Sequence, residues 1–251
     1  MNSQAPALGL RRRYIALVLV CLFVAGEVVA ATIEEQSAPP QAYIYIAASR
    51  DGIGKQYMGR EISQVMGHRG AGWLERDNRE QDERTDLLVL GLGLKDTDVV
   101  ADIGAGTGYF AFRMSKLLPN GKVMAVDIQR EMLDIISQRA TGAEANVVPI
   151  MGSVTDINLP ENSLDLVLLV DAYHEFSHPR EMGESMFRAL KPGGRIALVE
   201  YRAEDPRVAI KPLHKMSEKQ AIREMAALGL HWIETLDVLP QQHLMFFEKP
   251  E

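Results

Sequence analysis

The chemistry of this 251-residue chain is concentrated in one heptapeptide, Asp102-Ile-Gly104-Ala-Gly106-Thr-Gly108. It ends an apolar run and is followed at once by residues of helical type. Glycines at alternate positions let the backbone turn sharply and approach a ligand with no Cβ in the way, and the start of the helix adds free N–H groups. A dinucleotide-binding loop would space its glycines Gly-x-Gly-x-x-Gly. Here the third position of that pattern is Tyr109, too bulky for close packing, so an uncharged sugar with a zwitterionic tail fits better than a pyrophosphate. Taken alone, the loop could equally be a turn that packs a helix on a strand. Asp127 adds a second signal. It ends the next apolar run, where a carboxylate can accept two hydrogen bonds from the hydroxyls of a ribose lying across the first strand. The competing role is a surface acid at a helix start; the position one strand over from the glycine loop favours the ribose. Ile128 can cover one face of an adenine. Gly152-Ser153-Val154, after a third run, would bring Ser153 and the Val154 N–H to the adenine edge.

These residues need a sheet to hold them. The pattern predicts strands over 99–103, 122–128, 147–151, 164–170 and 195–200, alternating with helices over 107–118, 130–139, 179–190 and 217–228. The run Leu164–Val170 is almost unbroken in apolar character, as in a central parallel strand covered on both faces. Two final strands, 232–238 and 244–248, are separated by Pro240-Gln241-Gln242, too short for a crossover helix, and should form an antiparallel hairpin. The whole is an α/β domain spanning 85–251. Before it, residues 43–84 read as a lid of short helix and loops. Met58, Ile62, Val65 and Met66 fall at helical spacing, repeated glycines interrupt the stretch, and Asp77 is placed to cap a charged helix running to Leu90.

Four segments, in this order and spacing, resemble the motifs of class I S-adenosylmethionine-dependent methyltransferases. They are Val99–Phe110 around the glycine loop; Val126-Asp-Ile128 with Glu131-Met-Leu133; Leu164–Asp171; and Leu190-Lys-Pro-Gly-Gly-Arg-Ile-Ala-Leu198. The resemblance runs from about Thr85 to the C-terminus. It implies a Rossmann-like, doubly wound sheet of seven strands in the order 3-2-1-4-5-7-6, with one strand antiparallel, in agreement with the terminal hairpin. It implies S-adenosyl-L-methionine as cofactor, held by Asp102, Gly104, Gly106, Gly108, Asp127, Ile128, Ser153, Val154 and Asp171, with Asp102 bracing the loop and the methionine end. Where many members carry an aspartate for the adenine amino group, this chain has Ser153.

Methyl transfer from a sulfonium is an in-line displacement, in which the protein chiefly positions the acceptor and excludes water. The segment Asp171–His178 would face the methyl group. His174 is the candidate base, since its ordinary pKa lies near neutrality, and Tyr173 could orient the acceptor or the sulfonium. The alternative is that His174 and Glu175 only hold the next helix. The connection 202–216, with Arg207, Lys211, His214 and Lys215, hints at an anionic small-molecule acceptor, and a solvated basic loop is as good a reading. His68, Trp73 and Arg76 could close over the cofactor by analogy of fold. No metal site is expected.

A formal net charge of −7 argues against a nucleic-acid partner, whose phosphates need a basic footprint. Arg11-Arg-Arg13, the apolar run Tyr14–Gly26, and Ala30-Ala31 have the order of a secretory signal peptide, expected to span 1–31 and to be followed by a linker, 32–42. The run is short for a membrane span, so the mature chain is expected to be periplasmic, with an uncleaved anchor as the alternative. Cys21 is the only cysteine, so the processed chain would have no thiol and could not methylate cytosine C5 or arsenite through one. Two further readings stay open: a nucleoside-binding protein without turnover, and a nicotinamide-dependent oxidoreductase, which the glycine spacing and the terminal hairpin disfavour.

Overall fold

The computed structural model describes Met1, residues 42–142 and residues 146–251, so the expected signal segment and linker lie, but for their end residues, outside the described residues. The chain opens with a three-stranded antiparallel sheet, β1 (Tyr43–Tyr45), β2 (Gly52–Tyr57) and β3 (Arg60–Ser63). Short helices follow: α1 (Ala71–Leu74), α2 (Arg79–Glu83) and α3 (Thr85–Gly91). The main sheet is then built from β4 (Val99–Ile103), α4 (Tyr109–Ser115), β5 (Lys122–Asp127), α5 (Arg130–Arg139), β6 (Val147–Met151), β7 (Leu164–Val170), α6 (Pro179–Ala189) and β8 (Leu190–Arg202). It is completed by β9 (Lys215–Met216), α7 (Glu218–Ala226), β10 (His231–Leu236) and β11 (Gln242–Glu248).

The strand order is β10-β11-β8-β7-β4-β5-β6, with β9 joined to the end of β8. Counted from β4, and with the short β9 left out, this is the expected order 3-2-1-4-5-7-6, and β11 is the one antiparallel strand, paired with both β8 and β10. Alternation along each strand divides the core between the two faces. Val100, Val123, Ala125, Leu166, Leu168, Ala197, Val199, Leu244 and Phe246 pack against α3, α4 and α5. Ala101, Ile103, Val126, Val167, Leu169, Ile196, Leu198, Met245 and Phe247 pack against α6 and α7. Because both faces are covered, the ligand-accessible part of such a sheet is the edge formed by the carboxyl ends of its strands.

Two expectations for the N-terminal part need correction. The helix expected through Met58, Ile62, Val65 and Met66 is absent, and a hairpin takes its place. Met58 and Gly59 both adopt positive φ, 46° and 94°, between the partners Tyr57 and Arg60. Such two-residue turns match the twist of paired strands, and the hairpin buries Tyr57 and Ile62 against Tyr43. The single charged helix expected from Asp77 to Leu90 is two helices, broken at Arg84, whose φ is 51°. The small sheet is fastened to the main domain by polar contacts. Arg60 Nε and Nη2 donate to Glu224 at 2.7 and 3.0 Å, Lys55 Nζ donates to the Ser177 carbonyl at 2.7 Å, and the Tyr43 hydroxyl donates to Glu181. Among the described residues, no helix is long and apolar enough to cross a membrane.

Candidate active site

The carboxyl ends of β4 to β8 open onto one cavity of about 530 Å³, bordered on its other side by residues between Ser63 and Arg76. The glycine loop forms its floor. Gly104, Gly106 and Gly108 all have positive φ, at 74°, 55° and 81°, a region that residues with a Cβ enter at a cost. Their roles differ. Gly104 and Gly106 line the cavity, and Gly108 does not. A Cβ on Gly108 would lie 2.7 Å from the Phe112 ring, so this glycine lets α4 start against its own core packing. A Cβ on Gly106 would lie 2.5 Å from Leu74 Cδ1. The backbone at Gly106 is thus approached closely by the covering segment itself.

Asp127 stands beside the loop. Its Oδ2 accepts the Gly106 N–H at 2.9 Å and its Oδ1 accepts the Gln129 N–H at 2.8 Å. Burial raises its carboxyl above the ordinary value, and these backbone donors oppose the rise. Each oxygen keeps a lone pair for a further donor. Ile128, Met132 and Val154 add apolar wall, and Ile128 is 41% exposed and Val154 44%, both toward solvent or a ligand. Ser153 lines the cavity too, but its hydroxyl holds its own turn by accepting from Asp156 N–H at 3.0 Å. Asp102 does not line the cavity. It is 3% exposed, on the α4 side of the sheet, and burial, opposed by the Ala111 N–H, pushes its carboxyl up to about 7.

At the other end lie the residues after β7. Asp171, with φ 50°, lines the cavity; its Oδ2 accepts from Gln242 Nε2 at 2.9 Å. Burial, with Glu83 and Glu200 nearby, holds its carboxyl well above the usual range. Tyr173 and His174 share a 3-10 turn, and their side chains part. Tyr173 is fully buried in the layer beneath the sheet, its ring 5.5 Å from that of Phe176, so the expectation that it meets the acceptor is corrected: it is a core residue. His174 faces the cavity. Its Nδ1 is 2.6 Å from Glu200 Oε2 and its Nε2 is 3.1 Å from His214 Nδ1. Burial would lower the His174 pKa; the Glu200 carboxylate overrides it and the net direction is upward. His214 is shifted the other way, by burial first and then by the charge His174 carries when protonated.

Several lining residues escaped the sequence reading. Gln129 ties the cover down: its Oε1 accepts the His68 N–H at 2.6 Å and its Nε2 donates to the Met66 carbonyl at 3.0 Å. Trp73 and Arg76 line the cavity; His68 does not, and it meets Gln129 through its backbone N–H. Glu83 sits between Arg76 and Arg79, with Arg79 Nε at 3.0 Å, and Tyr201 donates its hydroxyl to it at 3.0 Å. Burial would raise the Glu83 carboxyl; the two guanidinium groups bring it below its ordinary value. Of the cationic connection 202–216, only 209–211 and His214 reach the cavity, and Lys211 is paired with Asp51 at 2.8 Å.

Comparison with known proteins bears on the domain and its fold. Residues 100–194 match the methyltransferase domain family. The chain is 31% identical over 150 residues to an uncharacterised methyltransferase-like protein of Schizosaccharomyces pombe, covering 60% of this chain and 56% of that one. It is 31% identical over 130 residues to the ubiquinone/menaquinone biosynthesis C-methyltransferase UbiE of Pseudomonas entomophila, covering 51% and 48%. The chain thus spans about half the length of these relatives. A crystal structure of a SAM-dependent methyltransferase from Aquifex aeolicus superposes with a TM-score of 0.69 at 22% identity, covering 74% of this chain and 100% of that one, so the folds agree.

Proposed function

Taking residues 100–194 as a methyltransferase domain on a class I fold, we propose that this chain transfers a methyl group from S-adenosylmethionine to a small-molecule acceptor bound at the His174 end of the cavity. The observation that carries the reading is continuity. One cavity joins a nucleoside-type subsite, formed by Gly104, Gly106, Asp127 and Ile128, to a cluster of ionisable side chains at its far end.

S-adenosylmethionine, when bound, supplies an electrophilic methyl on a cationic sulfur. The residues present fit it. A Cβ on Gly104 or Gly106 would meet Ala172 or Leu74 at 2.9 or 2.5 Å, so the loop backbone is as close to its neighbours as glycine permits. Asp127 has free lone pairs for the ribose hydroxyls, and Asp171 is a buried carboxyl for which a nearby cation offsets part of the desolvation cost. The remaining work belongs to the acceptor end. In its neutral form His174 takes the proton that the acceptor loses, at the Nε2 that otherwise faces His214 Nδ1, and Glu200 stabilises the resulting imidazolium. With the cofactor held on the glycine loop and Asp127, its methyl carbon would bond to the acceptor and the C–S electron pair would remain on sulfur. The cover formed by Met66, Trp73 and Leu74 excludes water from that line.

The test is a metabolite extract incubated with the protein and cofactor labelled in its methyl group, alongside calorimetric titration with S-adenosylhomocysteine. Label recovered in a small molecule is the expected result. Tight binding without any transfer would instead make the chain a nucleoside-binding protein. We also propose export, supported by Arg11–Arg13 and the apolar run after them. Mass spectrometry of the protein from its native host should find a chain beginning near Ala31 or Thr32, and a full-length soluble form in the cytoplasm would sink that idea.

A further inference from the structure

Three ligand-type atoms converge at the far end of the cavity. His174 Nε2 is 3.1 Å from His214 Nδ1 and 3.9 Å from Glu175 Oε1, and His214 Nδ1 is 3.8 Å from the same Glu175 oxygen. The two imidazoles alone could be joined by a hydrogen bond. That does not account for Glu175. Its Oε1 is nearly equidistant from the two ring nitrogens, yet lies beyond hydrogen-bond distance of each and accepts no hydrogen bond among the described residues. A triangle with these sides has one point in its plane at about 2.1 Å from all three corners, which is the bond length of a first-row divalent ion to imidazole nitrogen and carboxylate oxygen.

The surrounding contacts have the form that metal ligands require. A ligating histidine normally gives its other nitrogen to a carboxylate, which fixes the ring and raises its basicity. His174 does this with Glu200, at 2.6 Å through Nδ1. A ligating carboxylate is normally steadied through its second oxygen. Glu175 Oε2 accepts the Met66 N–H at 3.1 Å, from the covering segment. Glu200 is fully buried and Glu175 and His214 are only partly exposed, so an ion here would be shielded, and all three ligand residues line the cavity, which leaves its remaining positions open toward the acceptor.

We propose that His174, Glu175 and His214 bind a divalent transition-metal ion whose open positions take the oxygen of the methyl acceptor. Two histidines and one carboxylate suit zinc, iron(II), cobalt(II) or manganese(II) rather than calcium. The proposal rests on the methyl-transfer reading and deepens it. With the ion bound, His174 is a neutral ligand instead of the base. The ion draws charge from an acceptor hydroxyl so that its proton leaves to solvent near neutral pH. The freed oxygen then forms the bond to the methyl carbon, and the C–S pair stays on sulfur. The acceptor class is accordingly a molecule with an ionisable oxygen. Such a site is silent in sequence, because His174-Glu175 and His214 stand far apart on two different 3-10 turns.

The test uses untagged full chain freed of metal by chelation, titrated with Zn²⁺ in a calorimeter and with Co²⁺ by its visible absorption. Wild type should take up one equivalent. His214→Ala and Glu175→Gln should each weaken uptake at least a hundredfold, and Glu200→Gln tenfold to a hundredfold, the range for loss of an outer partner. Circular dichroism checks that the variants fold. No uptake by wild type overturns the proposal, as does uptake retained by either His214→Ala or Glu175→Gln. Titration of the same samples with S-adenosylhomocysteine reports separately on the cofactor subsite, so failure of the metal site and failure of the methyl-transfer reading are told apart.

Discussion

Asp127 concentrates several demands on one carboxylate. It closes the glycine loop through the Gly106 N–H, and it lines the cavity where the proposed cofactor would place its ribose. Asp127→Ala should weaken S-adenosylhomocysteine binding by roughly 2 to 4 kcal/mol, the scale of lost hydrogen bonds to a charged acceptor, measured by calorimetry. Part of that loss will come from a loosened loop, since the residue is buried and accepts the Gly106 N–H. The pH dependence follows from its raised pKa. Protonation removes the negative charge that the ribose hydroxyls donate to, so affinity should fall on acidification at a pH above the ordinary carboxylate range, and Asp127→Asn should lose that dependence. Gly106 offers a second contrast. In Gly106→Ala, both the positive φ and contact with Leu74 oppose the new methyl; adding Leu74→Ala should restore part of the lost stability but not the cofactor affinity. Gly193→Ala, also at positive φ but with open space around it, should cost about 1 to 2 kcal/mol in a thermal melt and leave affinity unchanged. Glycine spacing and the strand-end acid were legible in the sequence because their chemistry is local. Glu200 was not, because it reads as one more polar residue at the end of a strand until the fold sets it against His174.

At the scale of elements, the alternating β and α units could be read almost residue by residue, since periodicity and turn residues are properties of neighbours in the chain. The stretch from Tyr43 to Met66 could not. Apolar residues at helical spacing misled because a sheet of three short strands buries few side chains, and Met58-Gly59 makes its turn without the usual Asn-Gly signal. The side chain of Gln129 fastens the covering segment between this sheet and α2 to the cavity through two hydrogen bonds. Gln129→Ala should therefore speed hydrogen exchange at the His68 amide and raise protease sensitivity across 64–76. The Met66 amide, which donates to Glu175, should stay protected. Global stability should change by less than about 1 kcal/mol, since both hydrogen bonds lie at or near the surface. Equal exchange at His68 in both proteins would detach Gln129 from the cover.

For the molecule as a whole, acids drawn into the cavity wall and beneath it set how stability answers to pH. Asp102 is the clearest, pushed up to about 7 by burial. Between the ordinary carboxylate range and that value, the folded chain binds a proton that the unfolded chain releases. Stability therefore falls as pH rises through that window and is level above it. Asp102→Asn should flatten the slope, so that the difference between wild type and variant changes by on the order of 1 to 3 kcal/mol between pH 4 and pH 8, read from denaturant unfolding at each pH. Any constant cost of the asparagine cancels in that comparison. The hydrogen bonds running from Gly106 through Asp127 to Gln129, and on to Met66 and His68, join the floor of the cavity to its cover. Ligand occupancy and cover closure then draw on the same carboxylate, and thermodynamic linkage makes their coupling mutual. If a bound nucleoside makes closure ten times more favourable, closure makes the nucleoside bind ten times more tightly. A substitution outside the cavity lining, such as one at His68, can thus set how long product stays bound, and turnover would be governed by the opening of a surface segment as much as by the groups that line the cavity.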